Sequence, residues 1–178
     1  TADPDAPSKW RITIARIRAR SARISVTGIE RPVFEGDIDA RDVLTDSIPI
    51  SAAGALPFLG DPARAEAEVV LAVHKGAQPS VVPSGWLEVR GFDPREALER
   101  EALPPLVFEV RATVAEVTAE AIGLDLHGKA EAARGAPDLV RAAAGPFDGM
   151  LWIRGSEFIV NDLSLKAPSL TAMADATR

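Results

Sequence analysis

The sequence predicts a mainly β fold: a curved antiparallel sheet, an open groove or half-barrel, with two short helices. Three observations lead there. Aliphatic residues alternate with polar ones along most of the chain, helical spacing is confined to two stretches, and 14 Pro and 13 Gly residues punctuate the runs between them. Successive side chains on a pleated strand point to opposite faces, so alternation produces one apolar face and one wet face.

The strands follow in order. Arg11-Ile12-Thr13-Ile14 and Arg23-Ile24-Ser25-Val26-Thr27 alternate strictly. Between them, Arg16, Arg18 and Arg20 form a basic stripe at the same period, which reads as one solvated strand face. The uncharged run from Ser47 to Gly60 is interrupted by Pro49, Gly54 and Pro57, so it is a loop or short strands and not a membrane span. From Ala65 to His74, Ala65, Ala67, Val69, Leu71 and Val73 oppose Glu66, Glu68 and His74, and the β-branched second half favours a strand. Residues 76–85 form a Pro-rich loop ahead of a strand over Gly85–Arg90. Leu106, Phe108, Val110, Ala112 and Val114 alternate against Val107, Glu109, Arg111 and Thr113, the clearest strand of the sequence. Ile122, Leu124 and Leu126 oppose Gly123, Asp125 and His127, and further strands fall at Met150–Arg154 and Phe158–Leu165.

Helix is signalled by caps. Asp93-Pro94-Arg95-Glu96 supplies an N-cap acid, Pro at the first helical position and Glu three residues after the cap, predicting a helix to about Ala102, ended by Pro104 and Pro105. A second helix is expected from Asp138 to Ala144, closed by Gly145-Pro146. A weak internal similarity relates residues 21–40 to 156–176, each reading as strand, basic-plus-Pro turn, strand.

With 178 residues, the chain suits a disordered leader over residues 1–8 and a single β-rich domain over 9–178. Net charge is −6, and no dense Lys/Arg block could neutralise a phosphate backbone, which argues against a nucleic-acid partner. Aromatic content of 5% leaves the apolar mass to aliphatics and Ala, and the lack of Cys excludes thiol catalysis and Cys-ligated metals.

Candidate chemistry is sparse. His74 and His127 each sit at the polar end of an alternating strand without metal-ligand spacing. Ser80 and Ser84 lie in the Pro-rich run without a nucleophile elbow. Asp37 and Asp39 share a strand face but lack the further oxygen ligands of a calcium loop. Phosphate-cradling Gly motifs are absent, and Trp10, Trp86 and Trp152 read as packing residues. The expectation is therefore a non-enzymatic chain with no catalytic residue, metal or cofactor.

Three tracts carry a family resemblance. Trp10-Arg11-Ile12-Thr13-Ile14-Ala15-Arg16-Ile17 followed by Ala22-Arg23-Ile24-Ser25-Val26, the segment Gly85–Pro94, and the segment Gly149–Leu165 with its Asp162-Leu163-Ser164-Leu165 step resemble repeats of the AsmA/TamB superfamily. The resemblance implies an internal segment of a longer, repetitive periplasmic protein, attached to a membrane through other parts. That protein would guide phospholipid or another acyl-chain ligand between membranes, or assist outer-membrane assembly alongside envelope assembly proteins. On this reading Ile12, Ile14, Ile24, Val26, Val69, Leu71, Val73, Phe108 and Val110 line a hydrophobic groove. Each sheltered methylene contributes about 0.8 kcal/mol before ordering costs. The same aliphatics equally suit a closed β-sandwich of a structural or interaction module, in which a facing sheet covers them.

Overall fold

The computed structural model describes residues 14–27, 29–74, 80–154, 157–166 and 171–174, the last two stretches as backbone. The chain forms one antiparallel sheet of ten strands, in which every strand pairs with its neighbour in sequence. The strands are β1 (Arg16–Ile24), β2 (Phe34–Arg41), β3 (Ser47–Ala55), β4 (Arg64–His74), β5 (Ser80–Phe92), β6 (Leu106–Val117), β7 (Ile122–Ala132), β8 (Gly145–Arg154), β9 (Glu157–Lys166) and β10 (Thr171–Ala174). The sheet is curved and unclosed, with β1 and β10 as its edges. Two short helices accompany it, α1 (Pro94–Ala97) and α2 (Asp138–Ala143), together with a 3-10 turn at Pro57–Leu59.

Alternating strand direction sorts the connections onto two ends. Residues 25–33, 56–63, 93–105 and 133–144 meet at one end, which carries the 3-10 turn and both helices. The opposite end is spanned by tighter connections such as 42–46 and 118–121. These are called below the capped end and the hairpin end.

The small core lies at the capped end. Phe34, Leu56, Ala63 and Ala65 are buried together, with Ile38, Ala52, Phe58, Leu59 and Val89 packed against them. Thus the 3-10 turn folds back onto the first residues of the sheet's apolar side. Among the described residues no large side chain is completely buried, because no second sheet faces the first.

Pro49, Pro83 and Pro146 all lie inside strands, against the usual exclusion of Pro from a sheet interior. Each sits just past the last paired residue of one flanking strand: Ile50 for β2, Trp86 for β6 and Phe147 for β9. The strand is locally an edge there, and no ladder bond to that flank is lost. For this reason β5 begins at Ser80, inside the run expected to be loop, and the interrupted stretch after Ser47 becomes a continuous strand.

Other differences have local causes. The expected helix after Asp93 stops at Ala97, where Leu98 stays exposed and Glu99 adopts φ +51°. With no apolar stripe to bury, so short a helix gains little from growing. Gly145 and Pro146 open β8 instead of terminating α2, which ends at Ala143 with Ala144 already extended. Residues 21–40 and 157–174 supply the paired strands at the two sheet edges, β1–β2 and β9–β10. Residues 11–13 of the strand expected over 11–14 and the leader expected over residues 1–8 lie outside the described residues.

Candidate functional site

Cross-strand partners share a face, so the registers assign the paired side chains of β1 to β8. One face carries Ile17, Ala19, Ala22 and Ile24 of β1 and Phe34, Gly36, Ile38 and Ala40 of β2. It continues through Ile48, Ile50, Ala52 and Gly54 of β3 to Ala65, Ala67, Val69, Leu71 and Val73 of β4. Val81, Pro83, Gly85, Leu87, Val89 and Phe92 of β5 follow, then Phe108, Val110, Ala112 and Val114 of β6. Ile122, Leu124, Leu126, Gly128 and Ala130 of β7 and Phe147, Gly149, Leu151 and Ile153 of β8 complete it. From β1 to β8 this face holds only Gly, Ala, Pro, Val, Ile, Leu and Phe.

Three β-bulges preserve that segregation. They fall between Ala19 and Ala22, between Val89 and Phe92, and between Val114 and Glu116. Each inserts one residue, and a single-residue slip would turn every later side chain to the wrong face. Absorbing the extra residue in a bulge keeps Arg20, Arg90 and Glu116 on the polar side.

Of the residues expected to line a groove, Ile24, Val69, Leu71, Val73, Phe108 and Val110 stand on this face. Ile14 precedes β1, and Val26 lies in the turn after it, where its carbonyl accepts from Ile29 N at 3.1 Å. Both are exposed and outside the ladder. Ile12 lies outside the described residues. The expectation omitted the contributions of β2, β3, β5, β7 and β8, although Ile38, Ile50, Leu87, Leu124 and Leu151 share the same surface. β2 offered only a short run in which Asp37 and Asp39 alternate with Ile38, and β3 a run interrupted by Pro49 and Gly54.

Coverage of the face is uneven. At the capped end Phe147 is 8% exposed and Ala130 3%, whereas toward the middle and hairpin end Leu87 is 42% and Val81 54% exposed. Phe92, Phe108 and Phe147 form an aromatic row at the capped end, with successive ring centroids 6.0 Å apart.

The opposite face is an ion-pair surface. Arg16 donates through Nε to Asp39 Oδ1 at 2.7 Å, and Arg18 approaches Asp39 at 3.3 Å. Hydrogen bonding from Arg16 holds the Asp39 carboxyl at about 2, below its usual 3.8, with Arg18 adding to the effect. Arg90 pairs with Glu88, Arg111 lies 3.6 Å from Glu88, and the Arg111 guanidinium covers Trp86 at 4.1 Å from the ring centroid. Lys129 bridges Glu131 at 2.8 Å and Glu109 at 3.2 Å, which raises its pKa. His127 Nδ1 lies 2.7 Å from Asp148 Oδ1 across β7 and β8, a carboxylate pairing that sequence spacing did not reveal.

The residues considered for chemistry are dispersed or engaged. Asp39 is taken by arginines, and Asp37 accepts from Ser21 N at 2.9 Å. Ser80 faces His74 as the last pair of β4 and β5, while Ser84 sits at 3.5 Å from the Val70 carbonyl. A depression of about 540 Å³ lies on the polar face between Arg18, Asp39, Ser51, Glu66 and Glu68. Among the described residues no cluster of three His, Asp or Glu side chains is arranged to hold a metal, and no helix is long and apolar enough to cross a membrane.

Comparison with protein-family models, curated proteins and solved structures finds no match.

Proposed function

We propose that this chain is a non-enzymatic lipid-binding segment, whose apolar sheet face shelters the acyl chains of a phospholipid or related ligand. The observation that carries this reading is the unbroken apolar face of β1 to β8, which no second layer of the described residues covers over its middle. Sheets with one greasy side bury it against another element, and large uncovered apolar patches mark binding surfaces. Hydrocarbon suits this surface because it asks for no polar partner, and the face offers none. The uniformity also allows a ligand to shift sideways from strand to strand between equivalent positions, as transfer requires.

The resemblance to the AsmA/TamB superfamily supports placing the chain in the periplasm, within an envelope protein engaged in lipid transport between membranes or in outer-membrane assembly. Native mass spectrometry after gentle purification tests the binding reading. Co-purified phospholipid, displaceable by a fluorescent fatty acid, is the expected result. A lipid-free chain that takes up no fatty acid, or a dimer whose two apolar faces seal each other, would overturn it.

A further inference from the structure

We infer that the aromatic row at the capped end sets an upper limit on the length of acyl chain the face accepts. The inference rests on the acyl-binding reading above and adds a direction and a ruler to it.

Among the described residues the face is covered at one end and bare toward the other. Phe92, Phe108 and Phe147 stand in a row across β5 to β8, while the 3-10 turn brings Leu56 and Phe58 onto Phe34 at the start of β2. A hydrocarbon lying along the strands meets these groups at the capped end. Toward the hairpin end Leu87 and Val81 are uncovered, and that end is bordered by polar residues such as Thr45, His74 and Ser80. An acyl ligand is thus oriented with its terminal methyl against the rings and its polar head at the hairpin end.

Length fits the same occupant. From Ala67 to Val73 the uncapped part of β4 spans six residue steps, roughly 20 Å at ~3.3 Å per step. One bilayer leaflet contributes about 15 Å of hydrocarbon, half of a ~30 Å core. The bed therefore accommodates one membrane acyl chain, with little to spare before the rings.

The test is a binding series on the whole 178-residue chain using saturated fatty acids from decanoate to eicosanoate as probes. Affinity should climb about two- to fourfold per added methylene and then stop climbing at one chain length. Phe108→Ala, which removes the middle of the row, should move that break to a longer acid. Ala112→Phe, which plants a ring on β6 nearer the hairpin end, should move it to a shorter one and decides the matter if Phe108→Ala fails to fold. Binding without any break, or a break at the same acid in every folded variant, overturns the ruler while leaving acyl binding intact. No uptake of any acid by the native chain overturns both.

Discussion

Phe147 on β8 stands over Gly128 on β7, its Cζ 2.5 Å from the position a Cβ on Gly128 would take. The glycine leaves the hollow that the ring fills, so the ring packs down against the sheet. Gly123 and Trp152 form a looser version of the same pairing on the polar face, with the ring 3.1 Å from the virtual Cβ.

Gly128→Ala should destabilise the fold by about 1–3 kcal/mol, because the new methyl also meets the Glu109 carbonyl oxygen at 2.5 Å. Backbone cannot swing aside as a ring can. Pairing the change with Phe147→Leu should restore only part of the loss. Gly123→Ala, opposed only by the far side of an indole, should cost less than Gly128→Ala. Urea denaturation midpoints at constant m-value check all three.

Asp39 should titrate near pH 2 by carbon-detected NMR, against its usual 3.8. A depressed carboxylate stabilises the fold fully above the unfolded pKa and loses that contribution as pH falls through the folded one. Acid weakening of the β1–β2 edge is thus expected between about pH 4 and 2, and not above. Arg16→Ala should move the Asp39 midpoint up toward 3.8, leaving a residual depression from Arg18.

Leu71→Asp places a carboxylate in the middle of the apolar face. Since Leu71 is only half-buried in the free chain, stability should change by about 1 kcal/mol or less. Binding of a fluorescent fatty acid should fall at least about tenfold, because a bound chain would strip water from the charge. Glu68→Gln, on the opposite face, should bind as the native chain does. Equal losses in both variants would count against the apolar face as the binding surface.

Asp93 is 5% exposed and accepts from Arg95 N at 2.9 Å and Arg95 Nε at 3.0 Å, contacts that hold its pKa below the ordinary carboxylate value. Asp93→Ala removes the cap of α1 and should lower stability by about 1–2 kcal/mol. Asp93→Asn keeps a side-chain acceptor for the helix N–H and should cost less. Thermal denaturation of the two variants gives the comparison.

Legibility differed from strand to strand. β4 and β6 were plain from their alternation, since one face of each is continuously apolar and the other is mostly polar. β3 was obscured by Pro49 and Gly54, residues that disfavour strands locally. Pro49 is tolerated because β2 has already ended beside it, and Gly54 because Gly36 lies opposite across a very close approach. The start of β5 was hidden by Pro83 for the reason that hides Pro49. The α1 cap was read correctly at Asp93, yet its length was not, because caps mark where a helix begins and only packing decides how far it extends.

By itself the sequence determined which side chains share a face within each unbroken alternating run, such as residues 65–73 and 106–114, because a strand's period of two is a local property of the backbone. It also restricted chemistry, through the lack of Cys and of spaced ligands. Tertiary structure alone decided that eight strands align their apolar sides into one surface, that bulges keep them aligned, and that among the described residues the connections cover one end. Those outcomes depend on register and on where distant loops fold back, and alternation reads the same whether or not another layer lies on top.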